Sequence, residues 1–187
     1  MSRYFKYFPT VSHNGNTLAD ITKRTKFREE NFGNPYLFLP YTIEGDDRPE
    51  QVSYYYYDDV AYVWLVYLAN NIIDPYSQWP LSQEDLNSHI IKKYKSQSGV
   101  TGNAVIDWTK NTTITDNIMH YENLADPEKR ISKDTYDLNS EIIGGEWRAV
   151  RYYDYETSLN DDKRTIQLVN KAYAKQLEYK LRALMVE

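Results

Sequence analysis

Ten consecutive residues, Val60 to Ala69, carry no charged side chain and are apolar or aromatic throughout. A segment that is apolar on every side has no face to give to water, so it must sit inside the folded chain. Its Val and Tyr content suits a strand as well as a helix, and periodicity alone does not separate the two. It is far too short to cross a bilayer, which takes about 20 residues. Asp58 or Asp59 can cap it as a helix and Asn70-Asn71 ends it. Trp64, in the middle of the run, is expected in the core.

Other segments arrange themselves around this one. Tyr4 to Phe8 reads as a strand stopped by Pro9. Asn14-Gly15 is a hairpin-turn signal, with Thr17 to Thr22 as the return strand. Lys23 to Asn34 reads as an exposed loop or short helix, and Tyr36 to Leu39 with Tyr41 to Ile43 as strand. Asp47 with Glu50 fits a capping box, and Pro49 suits a first helical turn, so a helix is expected through Gln51 to Tyr57. Ile72 to Pro80 is a linker. Ser82 caps a helix over about 83–95, with Leu86, Ile90, Ile91 and Tyr94 on one face and Lys92, Lys93 and Lys95 in its last turn. Short strands are expected near Ala104 to Trp108, at Glu146 to Tyr155 and at Arg164 to Val169, with a turn at Gly144-Gly145. Asn170 caps a last helix to about Met185, whose apolar face is Tyr173, Leu177, Leu181 and Leu184.

Tyrosine dominates the aromatic residues, with 19 Tyr against 5 Phe and 4 Trp. A large apolar ring with a polar tip suits half-buried positions and protein contacts. The run Tyr54 to Tyr57 therefore has two readings, partly exposed core and partner surface. The formal net charge is −5, and the longest basic cluster, Lys92-Lys93-Tyr94-Lys95, is too short to track a nucleic-acid backbone. There are no cysteines, which removes disulfides, thiolate metal sites and cysteine nucleophiles. No apolar h-region follows the first residues, so no signal peptide is expected.

Signatures of catalysis are not found. His13, His89 and His120 stand apart from one another, and each reads as a satisfied or solvated histidine. Asp46-Asp47, Asp58-Asp59, Glu84-Asp85 and Asp161-Asp162 sit where caps and turns want acids. No phosphate loop, His-Glu-x-x-His or Gly-x-Ser-x-Gly occurs. Asn111-Thr112-Thr113 matches a glycosylation triplet, with nothing to indicate secretion. Neither an enzyme nor a cofactor or metal site is expected.

The stretch from Tyr41 to Val52 resembles a known pattern. So do Tyr62-Val63-Trp64-Leu65, Asn70 to Pro75, Trp79-Pro80-Leu81-Ser82 and Lys93-Tyr94 after it. Taken in order, they resemble the small baseplate wedge subunit of T-even-like contractile-tailed phages, most closely over 36–95. The same region resembles a lysin-motif domain, a β-α-α-β unit, with Tyr41-Thr42-Ile43 as first strand, Gly45-Asp46 as turn and Asn70-Asn71-Ile72 as the loop after the second helix. The resemblance implies an α+β fold: an N-terminal strand region (1–40), a lysin-motif-like centre (41–98) and a C-terminal strand-helix extension (99–187). It implies a structural protein of the virion tail baseplate, assembled in the host cytoplasm, that joins neighbouring wedges into a ring around the hub. Its implied partners are other wedge subunits, neighbouring wedges, and sheath-initiator and hub proteins, with six copies per baseplate and no nucleic acid or membrane. Tyr54, Tyr55, Tyr56, Tyr57, Tyr173 and Leu177 are the candidate contact residues. A glycan-binding lysin-motif module is the alternative.

Overall fold

The computed structural model describes residues 6–22, 25–27, 34–139 and 143–186. The elements run β1 (Thr10–His13), β2 (Asn16–Ala19), β3 (Phe38–Thr42), α1 (Pro49–Tyr57), a 3-10 turn (Val60–Tyr62), α2 (Val63–Ala69), α3 (Pro75–Gln78), α4 (Gln83–Ser98), α5 (Asn103–Lys110), β4 (Ile118–Asn123), β5 (Arg130–Ile131), α6 (Lys133–Asn139), β6 (Trp147–Arg151), α7 (Tyr152–Asp162), β7 (Thr165–Val169) and α8 (Lys171–Val186). The chain is mixed α and β, with short antiparallel sheets and mostly short helices. It divides into two units, 1–80 with 163–187, and 81–162. The sequence-based boundaries at 40/41 and 98/99 do not coincide with these. The difference arises because the first unit is completed by residues from the far end of the chain.

In the first unit, β1 and β2 form the hairpin that Asn14-Gly15 announces. Both residues have positive φ, 50° and 77°, as a tight primed turn requires. The strand before the turn is Thr10–His13, and the return strand stops at Ala19. Lys6 to Phe8 are not strand, and Tyr4 and Phe5 lie outside the described residues, as does most of Lys23 to Asn34. Phe8 is buried in the first unit's core.

Strand β3 runs through Pro40 and pairs antiparallel with β7, Phe38 opposite Val169 and Thr42 opposite Thr165. Pro40 lies opposite Gln167, whose N–H and C=O face away from β3 and bond instead to the Asn70 amide. That places the missing Pro40 N–H on the sheet's outer edge, where proline is tolerated. Asn70, expected only to end a helix, thus also closes the free edge of β7.

The apolar run is helical. Asp59 starts it, its carboxylate accepting from the Ala61 N–H at 2.8 Å. Trp64, Leu65, Val66 and Ala69 are buried, and Leu65 and Val66 have no exposure at all. Burying one such side chain contributes about 1.5–3 kcal/mol. Val60 is 47% exposed, so the first residue of the run escapes the core. Helix α1 has Pro49 in its first turn as expected, but its cap is Arg48, whose N–H donates to the Gln51 side chain at 2.8 Å. The expected Asp47–Glu50 box does not form, because the helix starts one residue later than that pair needs. Linker 72–80 contains one short helix, α3, capped by Asp74. Helix α8 buries Ala174, Leu181 and Met185, while Tyr173 and Leu184 are 38% and 59% exposed. Its buried stripe is shifted from the expected one: Leu181 is shared, while Ala174 and Met185 are buried in place of Tyr173 and Leu184.

In the second unit, Ser82 caps α4 as expected, its hydroxyl accepting from the Asp85 N–H. The helix runs on to Ser98 and is closed by Gly99 at φ 67°. Ala104 to Trp108 is helix rather than strand. Val105, Ile106 and Thr109 are buried at helical spacing, and the β-branched residues there do not override it. Glu146 to Tyr155 is strand only as far as Arg151, and then becomes α7. Strand β4 is central between β5 and β6. Leu86, Ile90, Tyr94, Val105 and Ile106 form the core, with Tyr152 stacked on Tyr94 at 4.4 Å and on Trp108 at 5.9 Å.

Candidate interaction surfaces

Asp59 is a cap, and Asp58, at the left-handed end of α1, pairs with Lys171. Glu84 and Asp85 lie in the first turn of α4. His13 is at the exposed hairpin tip. His120 Nε2 lies 3.0 Å from Glu122, which also meets Arg148 at 3.0 Å and Arg130 at 3.3 Å. The His120 hydrogen bond, helped by the arginines, holds the Glu122 carboxyl below its ordinary range despite partial burial.

A second cluster was not foreseen. Glu156 accepts from Lys93 Nζ and the Tyr94 hydroxyl, both at 2.7 Å, with His89 Nε2 at 3.6 Å. Burial pushes Glu156 up, but the Lys93 and Tyr94 hydrogen bonds outweigh it and leave the carboxyl below its ordinary range. Burial, and then the bond to Glu156, raise the Tyr94 hydroxyl far above its usual value. A general base works best when its pKa lies near the operating pH, and both carboxyls are displaced away from it. These clusters fix structure within the second unit. The partners of Glu156 lie 62 to 67 positions away, so no local spacing announces them.

The tyrosine run divides by helical geometry. Tyr57 is buried and its hydroxyl donates to the Val169 carbonyl at 2.9 Å, which bonds α1 to β7. Burial raises its pKa strongly. Tyr57 is therefore part of the first unit's core. Tyr56 is half-buried with its ring edge-on to Tyr57 at 4.8 Å. Tyr54 and Tyr55 are 57% and 59% exposed, in edge contact at 6.1 Å.

Tyr173 and Leu177 belong to a different surface of the first unit. They line a partly open cavity of about 690 Å³ together with Phe27, Leu37, Leu68 of α2 and Leu184 of α8. Phe27 is held by Phe38, ring edge to face at 5.2 Å. Sequence reasoning named Tyr173, Leu177 and Leu184 but missed the groove. The available signal was that α8 carries more large apolar residues than one buried stripe uses.

Residues 4–177 match the family model described as base plate wedge protein 53. The chain belongs to this family. A segment of 92 residues is 32% identical to baseplate wedge protein gp53 of Enterobacteria phage T4. That match takes in 48% of this chain and 47% of the relative, so it spans about half the length of the curated relative.

The base plate wedge family match includes Tyr54, Tyr55, Tyr173 and Leu177, whereas Lys180 and Leu184 lie beyond its last residue. Among the described residues no cluster of three or more His, Asp or Glu is arranged to hold a metal ion, and no helix is long and apolar enough to cross a membrane.

Proposed function

We propose that this chain is a structural component of a contractile phage tail baseplate that joins neighbouring wedges into the ring around the hub, and that it is not an enzyme. The observation that carries this reading is the family match over residues 4–177. A clamp needs two separate contact surfaces. Tyr54 and Tyr55 on α1, and the groove around Tyr173 and Leu177, supply two candidates. Its partners are other wedge subunits and the adjacent wedge, with sheath-initiator and hub proteins nearby and six copies per baseplate. It works in the virion tail, after assembly in the host cytoplasm. Head-to-tail contacts close into a ring when the rotation between copies divides the circle evenly.

A lysin-motif-like unit is part of the proposal. The order β3, α1, α2, β7, with β7 antiparallel to β3, supports it, residues 81–162 being inserted ahead of the closing strand. The loops that would correspond to glycan-holding ones are engaged internally. Gly45 accepts from Arg164 at 2.6 Å, the Asp47 carbonyl from the Trp79 indole at 2.9 Å, and Asn70 is bonded to Gln167. These commitments favour protein scaffolding over glycan binding.

Electron microscopy of purified wedge intermediates tests the function. Wedges without this chain should stay separate, and adding it should yield sixfold rings. Rings that close equally well without it would remove the clamp. Saturable retention on intact peptidoglycan would instead favour the glycan module.

A further inference from the structure

We propose that the groove between Phe27, Leu68 and α8 receives a short amphipathic segment of another protein, apolar on the face that enters and carboxylate-bearing along its edges. The inference rests on the scaffold reading and specifies the chemistry of one of its contacts.

The groove is lined mostly by apolar side chains, and its volume lies within the range of pockets that bury most of a drug-sized ligand. Its apolar character does not end at the surface. Leu184 is 59% and Tyr173 38% exposed, so covering them with an apolar partner removes area from water that the chain itself leaves wet. A helix or strand entering such a groove is held by a few apolar anchors at regular spacing.

Charge selects the kind of segment. Among the described residues, the charged ones lining the groove are Lys26 and Lys180, both cations, and no acidic one lines it. This occurs in a chain of net charge −5, against its average surface. Neither lysine has an ion pair with a carboxylate among the described residues. The one acid in the middle of α8, Glu178, is turned elsewhere, its two oxygens accepting from Tyr7 and Tyr62. An occupant with carboxylates beside its apolar anchors therefore meets two cations, and a basic occupant meets repulsion from both. Complementarity of this kind chooses between partners more than it adds affinity.

The test uses the whole chain and two fluorescein-labelled synthetic peptides of about 12 residues, with Leu and Phe at helical anchor spacing. One peptide carries Glu beside the anchors and the other carries Lys at the same positions. Fluorescence anisotropy at low salt should show the Glu peptide binding about fivefold to tenfold tighter than the Lys peptide, a preference that shrinks as salt screens the rim. The double variant Lys26→Glu with Lys180→Glu should reverse the preference. Leu184→Asp, at a largely exposed position, should weaken both peptides while circular dichroism stays unchanged. Equal binding of the two peptides, an unchanged preference in the double variant, or no saturable binding to the wild-type chain would overturn the proposal. So would sedimentation equilibrium showing a dimer of this chain that Leu184→Asp dissolves, since a second copy would then be the occupant. Rings that close normally while the peptides fail to discriminate would remove the groove proposal alone. Peptides that discriminate while rings close without the chain would remove the scaffold reading alone.

Discussion

The two units hold themselves together in different ways. The first has a core of Phe, Val, Leu, Ile, Trp and Tyr side chains drawn from both ends of the chain, with Ser53 as its buried polar residue among the described residues. The second has a much smaller apolar core and buries Thr109, Asn117, Glu156 and Asn160. Each of those four is hydrogen-bonded: Thr109 to the Ile106 carbonyl, Asn117 to Trp108, Asn111 and Arg151, Glu156 to Lys93 and Tyr94, and Asn160 to both backbone groups of Leu81. An apolar core tolerates change in proportion to the volume removed. A polar one fails when a single partner is taken away, because the remaining partner stays buried and unpaired. The difference shows where each unit is vulnerable.

The largest expected effect is in the first unit. Trp64→Ala should cost about 3–5 kcal/mol, the usual range for emptying an aromatic site in a core. Hydrogen exchange read by mass spectrometry should show protection lost chiefly over β3, α1, α2, β7 and α8. Loss of partner binding with full protection retained would place Trp64 at an interface instead.

Next comes Glu156→Ala, which leaves the Tyr94 hydroxyl without its acceptor and should cost about 2–3 kcal/mol, with protection lost over α4 and α7. Lys93 is half-exposed and recovers its hydration, which keeps the cost below that of a fully buried ion pair. The same carboxylate makes the second unit sensitive to acid. Its native pKa lies below the ordinary 4.5, so the unfolded chain binds the proton more readily. Its contribution is present above 4.5 and is lost as pH falls through the lowered native value. In Glu156→Gln that part of the acid dependence should vanish, which a series of melting curves across this window would show. An identical slope in wild type and variant would mean that another carboxyl sets the acid limit.

Asn160→Ala is expected to cost about 1–2 kcal/mol, because it strips partners from the Leu81 N–H and C=O together. The smallest effect belongs to the outward tyrosines. Tyr54→Ser with Tyr55→Ser should change stability by no more than about 0.5 kcal/mol while reducing ring formation. Normal rings with this variant would move the contact to the α8 groove.

What the sequence disclosed was local. The Asn14-Gly15 turn and the caps at Asp59, Ser82 and Asn170 depend on residues a few positions apart, and their side chains hydrogen-bond where expected. The misreadings have physical causes. Val105 and Ile106 favour strands, yet their burial with Thr109 follows a helix, so packing overrode propensity. The pairing of β3 with β7 brings together residues more than 120 positions apart, and no pattern within either strand names the other. The tyrosine run left core and partner surface open as readings, and assigning Tyr57 inward required its burial and its bond to Val169. Glu156 was invisible for the same reason as the pairing of β3 with β7, since the groups that hold it belong to a different stretch of chain.

The separation of β3 from β7 also sets an order of events during synthesis. Residues 81–162 are contiguous and can leave the ribosome and pack while the first unit still lacks its closing strand and α8. Until Thr165 to Met185 emerge, the apolar face of α2 has neither Leu168 and Val169 nor Leu181 to cover it. A nascent chain stopped short of β7 would therefore present unsatisfied apolar surface to chaperones and proteases. Only chains translated through α8 would reach assembly with both halves of the first unit's core joined.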